Sequence, residues 1–447
     1  MRKIFCLLFC LPILAGAQTI TTFAGGGTGG DGIPATASQI PDPIGCTFNK
    51  NGEMYIVSAL GGYKVRKVNT SGIISTIAGT GVVGNSGDGF QATAARFRLP
   101  VAIALDTFGN IYVSDPGNYN IRKIDISTGI ISTFAGTGVV GYSGDGFPAT
   151  SAQLNVPDGI CFDKFGNFYI ADKSNNAVRK INPSGIITTF AGIGSYGFSG
   201  DNGPATAAEL WVPIDVTADD TGNIYISDRG NFRIRKVNLT GTISTFAGNG
   251  SSTYTGDGMA ANTAQFCPGY IKMDGDNNLY IGDDNINFRV YKIDNSGVFH
   301  SVAGNGTTTF GGDGGPATAA SIYYASGLAF DSCNNLYVGD VDPKRIRKVT
   351  FDTSCGTPDT PTNVGVVNVN GSYFATLYPN PVWNELHIDA TNACSYAITN
   401  ITGYAVQQGA IAAGKDTIPM GQLPSGIYFV AVIGKDGERK VFKVMKE

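Results

Sequence analysis

The sequence predicts an all-β protein: a closed ring of six four-stranded blades, a β-propeller, followed by a small immunoglobulin-like β-sandwich. Three observations carry that prediction. A Phe/Ile-Ala-Gly corner recurs at Phe23, Ile77, Phe134, Phe190 and Phe246, with Val302 in the same place, so the copies lie 54 to 57 residues apart. A fixed period of this size marks a propeller or solenoid. Each period holds four strand-like runs bounded by turn residues, in the third copy 159–163, 167–172, 177–181 and 185–191, and four short strands per repeat make a blade. Finally, the ends are complementary. The first three strands occur six times, ending near Val68, Ile124, Ile181, Val237, Ile293 and Val349, whereas a lone fourth-strand text, 19–24 (TITTFA), stands at the start. Pairing it with 345–351 closes the ring and removes two open sheet edges, which are aggregation hazards.

In chain order, 1–17 reads as a secretory signal peptide. Arg2 and Lys3 precede an apolar run over 4–14 and the small-residue pattern Ala15-Gly16-Ala17. The run is shorter than the ~20 apolar residues of a spanning helix, so the expected mature chain starts at Gln18 with no transmembrane segment. The ring occupies 18–351. Residues 352–372 are rich in Thr, Pro, Asn and Gly and read as a linker. The sandwich, 373–447, shows alternating strands over 386–388, 396–398, 405–408, 426–433 and 440–445.

Charge narrows the function classes. Only 15% of residues are charged, the formal net charge is −4 and no basic stripe appears, which argues against a nucleic-acid partner. Two of the eight cysteines leave with the signal peptide. Cys46 and Cys161 fall inside first strands and read as buried thiols. Cys333 lies between the first and second strands of the sixth blade and Cys355 just past its third strand, so strand alternation puts both at one end of the blade. A Cys333–Cys355 disulfide is expected there.

Alternation also sorts the loops. Fourth-to-first and second-to-third connections emerge together, and long loops on one face of a rigid scaffold are the usual place for recognition. The fourth-to-first connection is long, carries Asp31, Asp88, Asp145, Asp201, Asp257 and Asp313, and holds Pro- and Ala-rich text expected to form one helical turn per blade. Asp88, Asp145, Asp201, Asp257 and Asp313 admit two readings: a collar of oxygen ligands for calcium, or turn residues that bond nearby backbone N–H groups. A second acidic series (Asp115, Asp172, Asp228, Asp283, Asp340) ends the second strands. An arginine series (Arg66, Arg122, Arg179, Arg235, Arg347) occupies the third strands, with Tyr291 breaking it. Ion pairing within the repeat and anion capture are both open for these. Aromatic residues near loop tips, Tyr142, Phe198, Tyr254, Phe310, Tyr119 and Phe232, are candidate binding residues, either stacking on sugar rings or anchoring a partner, or else covering their own loops. The chain has two histidines, His300 and His387, and no nucleophile elbow, so catalysis is the weaker expectation.

At these residues the chain resembles the NHL-repeat family of β-propellers; 99–124 (LPVAIALDTFGNIYVSDPGNYNIRKI) carries the repeat text nearly whole. The resemblance implies the fold, and the family's activities range from protein and RNA binding to lyase chemistry. Residues 373–447 resemble the C-terminal sorting domain of type IX secretion cargo. The matching text is Leu377-Tyr378-Pro379-Asn380-Pro381, then Leu423-Pro424-Ser425-Gly426-Ile427-Tyr428, then a basic end with Lys443 and Lys446. That resemblance implies the type IX machinery as a partner and export through the periplasm to the surface or beyond. The expected function is a secreted or cell-surface binding protein that engages a glycan or protein with its long-loop face. The alternative is a calcium-dependent, lactonase-like lyase or hydrolase at the mouth of the central channel.

Overall fold

The structure, a computed structural model, describes residues 18–284, 286–351, 375–378, 382, 384–400, 405–434 and 439–446. It falls into two compact units that divide between Asp352 and Thr353. The expected signal peptide, linker and Cys355 lie outside the described residues.

The first unit contains six antiparallel sheets, each built from one repeat. Alternating side chains decide how they pack. In the second strand of the first repeat, Met54–Ser58, Ile56 points into one cluster with Tyr337 and Ile346 of the sixth sheet, while Tyr55 and Val57 point into another with Val113 and Ile124 of the second. Equivalent clusters fill every gap between neighbouring sheets. Both faces of each sheet are therefore buried, as a sheet stacked between two others requires. The first strands, Pro43–Phe48, Ile103–Leu105, Pro157–Phe162, Pro213–Ala218, Pro268–Met273 and Ala325–Phe330, pack in a closed cycle around the centre.

Closure is by the N-terminal strand. Thr19–Gly25 pairs antiparallel with Arg345–Thr350, Ile20 opposite Val349 and Gly25 opposite Arg345. The register slips between Thr22 and Ala24, so Phe23 of the Phe-Ala-Gly corner is a bulge residue. The corner glycine turns the chain away: Gly136 has φ 90°, and a Cβ there would sit 2.4 Å from the Tyr119 carbonyl oxygen. That contact explains why glycine stands at this point of the repeat.

The long connections have a structural use the sequence did not suggest. Before returning to the centre, each runs along the fourth strand of the next sheet. Ile33–Pro34, Gly203–Pro204 and Met259–Ala260 pair there as short fifth strands. Gln91, Pro148 and Pro316 make single bridges to Ile130, Ile186 and Thr19. A 3-10 turn follows in every case, from Ala35–Ala37 to Ala317–Ala319. The outer edge of each sheet is thereby covered.

The second unit comprises a three-stranded sheet, Ala375–Tyr378, Glu385–Ala390 and Gly414–Pro419, and a four-stranded one, Ala405–Ile411, Cys394–Asn400, Gly426–Gly434 and Arg439–Lys446. One core, including Leu386, Ile388, Ile398, Val430 and Phe442, joins them. Tyr428, 6% exposed, donates its hydroxyl to the Pro424 carbonyl at 2.8 Å. That bond ties the Pro424-to-Tyr428 motif, with Gly426 between, into a turn. Tyr378 ends its strand, Lys443 lies in the last strand, and Lys446 is buried. Pro379, Asn380 and Pro381 lie outside the described residues. Cys333 is disulfide-bonded, whereas Cys46, Cys161, Cys267 and Cys394 are buried free thiols.

Candidate functional site

The repeated charges build a network inside each sheet. Arg179, fully buried, reaches Asp145 of the long connection at 2.5 Å, the Ser143 carbonyl at 3.1 Å and Asp172 at 3.4 Å. Arg235 bridges Asp201 and Asp228 in the same way, and Arg347 bridges Asp313 and Asp340. Arg122 pairs with Asp88 and Arg66 with Asp31. In the fifth sheet Tyr291 replaces the arginine. Its hydroxyl bonds Asp283 at 3.3 Å, and Tyr254 stacks on its ring while donating to Asp257. Burial pushes Asp172, Asp228 and Asp340 up to about 6. Asp145 behaves oppositely: against partial burial, bonds from Thr189 and Arg179 hold it below its ordinary value.

Asp88, Asp145, Asp201, Asp257 and Asp313 thus stand one to a sheet, each engaged by its own repeat. Among the described residues no group of three or more His, Cys, Asp or Glu side chains gathers to hold a metal. The loop-tip aromatics are dispersed in the same way. Tyr142 lies over the Arg179 guanidinium, Phe198 over Arg233 and Arg235, Tyr254 over Arg289, and Phe310 over Arg345 and Arg347, at 3.9 to 4.9 Å. Tyr119 and Phe232 adopt left-handed backbone, φ 54° and 50°, closing the turns Pro116–Asn118 and Arg229–Asn231.

A different set of residues meets at the mouth of the central channel. Second-to-third and fourth-to-first connections emerge together there, bonded to each other through Gly230 N–H to Trp211 O, Asp284 N–H to Cys267 O and Ser174 N–H to Asn155 O. A cavity of about 220 Å³ opens between them, lined by Asp158, Lys173, Ile214, Arg229, Tyr270, Asp284 and Tyr324. Lys173 pairs with Asp158 at 2.9 Å, Tyr270 donates its hydroxyl to the other Asp158 oxygen at 2.8 Å, and Arg229 pairs through Nε with Asp284. Burial, with the Asp158 charge beside it, drives the Tyr270 hydroxyl far above its usual range. Below the mouth the channel narrows among all six first strands. Asp215, 7% exposed, stands there, accepting the Val216 and Ile271 N–H groups at 2.8 Å. Burial pushes it up to about 7. Its oxygen lies where a Cβ on Gly159 would be, 1.9 Å away.

None of the channel-mouth residues was among the sequence candidates, yet a signal exists. After the second strand the repeats read Ala59, Pro116, Lys173, Arg229, Asp284 and Val341, and within the first strand Gly45, Ala102, Gly159, Asp215, Tyr270 and Gly327. These columns vary in charge and size while their neighbours repeat. The variation runs with position around the ring: in these columns sheets three to five supply the polar groups, and sheets one, two and six supply small or apolar ones.

Comparison with known proteins agrees with this architecture. Residues 376–447 match the secretion system C-terminal sorting domain, 140–199 the teneurin NHL domain and 210–237 the NHL repeat. Among curated proteins the chain is similar to SUPPRESSOR OF QUENCHING 1, chloroplastic, of Arabidopsis thaliana (24% identity, 50% of this chain, 22% of that one) and to teneurin-3 of Mus musculus (29%, 46% of this chain, 8% of that one). It therefore spans less than a quarter of either relative's length. Among solved structures it is similar in fold to an auxiliary nutrient binding protein from Bacteroides thetaiotaomicron, with a TM-score of 0.55 at 15% identity, covering 74% of this chain and 76% of that one. The sorting domain indicates export by the type IX secretion system to the cell surface or outside, and no helix among the described residues is long and apolar enough to cross a membrane. The chain carries an NHL repeat within a propeller-like fold and ends in a C-terminal sorting domain of that secretion system.

Proposed function

We propose that the exported chain is a surface binding protein whose ligand seats at the channel mouth, on the face that bears the long connections. One observation carries this reading: the repeat departs from itself there, in favour of mutually bonded polar side chains that are buried or half-buried. Burying polar groups is costly unless they are bonded, and sheets one and two fill the corresponding positions with Ile44, Gly45, Val101 and Ala102. The fold therefore does not call for charge at this place, whereas a ligand would. Opposite charges already matched in pairs favour holding a ligand over activating one. The test is a thermal-shift screen of small polar metabolites against the wild type and an Arg229→Ala/Asp284→Ala variant. A compound that stabilises only the wild type supports the reading, and compounds that stabilise both equally would place binding elsewhere.

A second reading, a hydrolase or lyase at the channel mouth, draws on Asp215. A carboxyl near 7 in a narrow channel is poised for general acid–base work at neutral pH. Turnover of lactones or esters that Asp215→Asn abolishes would establish it.

A further inference from the structure

We infer that the ligand of the channel mouth is a neutral sugar ring, free or at the end of a glycan chain; the inference rests on the mouth being the ligand site. Three features select that chemistry.

Charge comes first. Lys173 and Arg229 are each countered by a carboxylate, Asp158 and Asp284. An incoming anion meets those two carboxylates with Asp215 beneath them, and an incoming cation meets the lysine and the guanidinium. Neither gains net attraction, and a zwitterion has to open both pairs to engage its own charges, leaving partly buried groups unpaired. A hydroxyl group needs no such exchange, because it donates and accepts at once.

Bonding capacity is the second feature. Each carboxylate oxygen has more than one lone pair and the guanidinium five N–H donors. Asp158 accepts from Lys173 on one oxygen and from Tyr270 on the other, and Arg229 donates through Nε to Asp284. The remaining acceptors and donors are fixed by those same bonds, and adjacent hydroxyls of a sugar suit such fork-like groups.

The third is shape. The cavity, about 220 Å³, lies below the ~300–1,000 Å³ usual for drug-sized ligands, which limits the occupant to one ring. Tyr270, Tyr324 and Ile214 line it and supply apolar surface for a sugar's C–H face beside the polar groups.

The test is calorimetric titration of the full chain with methyl glycosides of glucose, galactose, mannose and N-acetylglucosamine, alongside glucuronate and glutamine. The expected result is one-to-one binding of at least one neutral glycoside, with an affinity that changes little with added salt, since no net charge is recruited. Tyr270→Phe and Asp284→Asn should each weaken it roughly tenfold, as loss of a hydrogen bond to a charged group does, while the melting temperature confirms that the variants are folded. Binding of glucuronate or glutamine alone, lost in both variants, overturns the sugar and leaves the site. Glycoside binding that both folded variants retain overturns the site. Failure of every glycoside to bind overturns the inference.

Discussion

Arg179 offers a stringent test of how the ring is held together. Its side chain is fully buried between Asp172, also fully buried, and the half-exposed Asp145. Arg179→Leu keeps apolar bulk but removes the buried cation beside the Asp172 carboxyl, which retains its bonds from Asn155 N–H and Asn175 Nδ2, and removing one partner of a buried ion pair costs about 3–5 kcal/mol. The Asp145 contact adds little, since that side chain is 50% exposed and solvent-screened pairs are worth at most about 1 kcal/mol. At about 2 °C per kcal/mol for a large domain, thermal unfolding followed by circular dichroism should show a fall of about 6–10 °C. The fall should depend on pH. Burial pushes Asp172 from its ordinary 3.8 up to about 6, so the native state takes up its proton more readily than the unfolded chain. Its contribution is most favourable below the unfolded value and is lost as pH rises through about 6. Without Arg179 that native value rises further, so the penalty should be greater at pH 8 than at pH 5. The fifth sheet supplies the control. There Tyr291 bonds the inner aspartate under a stacked Tyr254, and Tyr142 stands ready to play the same part in the third sheet. Arg179→Tyr should therefore cost only about 1–2 kcal/mol, the loss of a charged for a neutral hydrogen bond. A Tyr variant as damaged as the Leu variant, or a Leu penalty equal at both pH values, would refute the reasoning.

Other expectations follow from the same structure. Deleting 423–447 removes the motif turn and two strands of the sorting domain, and the chain should accumulate in the periplasm; undiminished surface display contradicts the export route. Alkylation of the unfolded, unreduced protein should label Cys46, Cys161, Cys267 and Cys394 but not Cys333, read by peptide mass spectrometry. Gly159→Ala sets a methyl against the Asp215 carboxylate and its backbone, so it should cost about 1–3 kcal/mol and weaken ligand binding at the mouth, both measurable on one purified sample.

The architecture was legible because it is written six times. Period, strand count and the lone N-terminal strand together implied the closure that the Ile20–Val349 register shows. Less legible was the long connection. Its Gly- and Pro-rich text reads as loop, and nothing local says that Ile33–Pro34 or Gly203–Pro204 will pair along a neighbouring edge. Gly414–Pro419 escaped notice for a related reason: Gly, Lys, Asp and Pro are depleted in strands, and its partner Glu385–Ala390 overrides that preference. The channel mouth was missed because repeat reading keeps what recurs. Lys173, Arg229 and Asp284 are single departures from a consensus, visible only when the copies are compared column by column. The loop-tip aromatics drew attention through their place beside the loop tips instead, although a cation beneath the ring accounts for Tyr142, Phe198, Tyr254 and Phe310.

The most direct test of the ligand site is hydrogen exchange, comparing the free protein with the protein saturated by the tightest-binding glycoside. Slower exchange concentrated at Trp211 to Asp215, Cys267 to Lys272 and Tyr323 to Ser326, the backbone around the cavity, is the result expected. Protection confined to the loop tips near Tyr142, Tyr254 and Phe310, with the channel mouth unchanged, would contradict it.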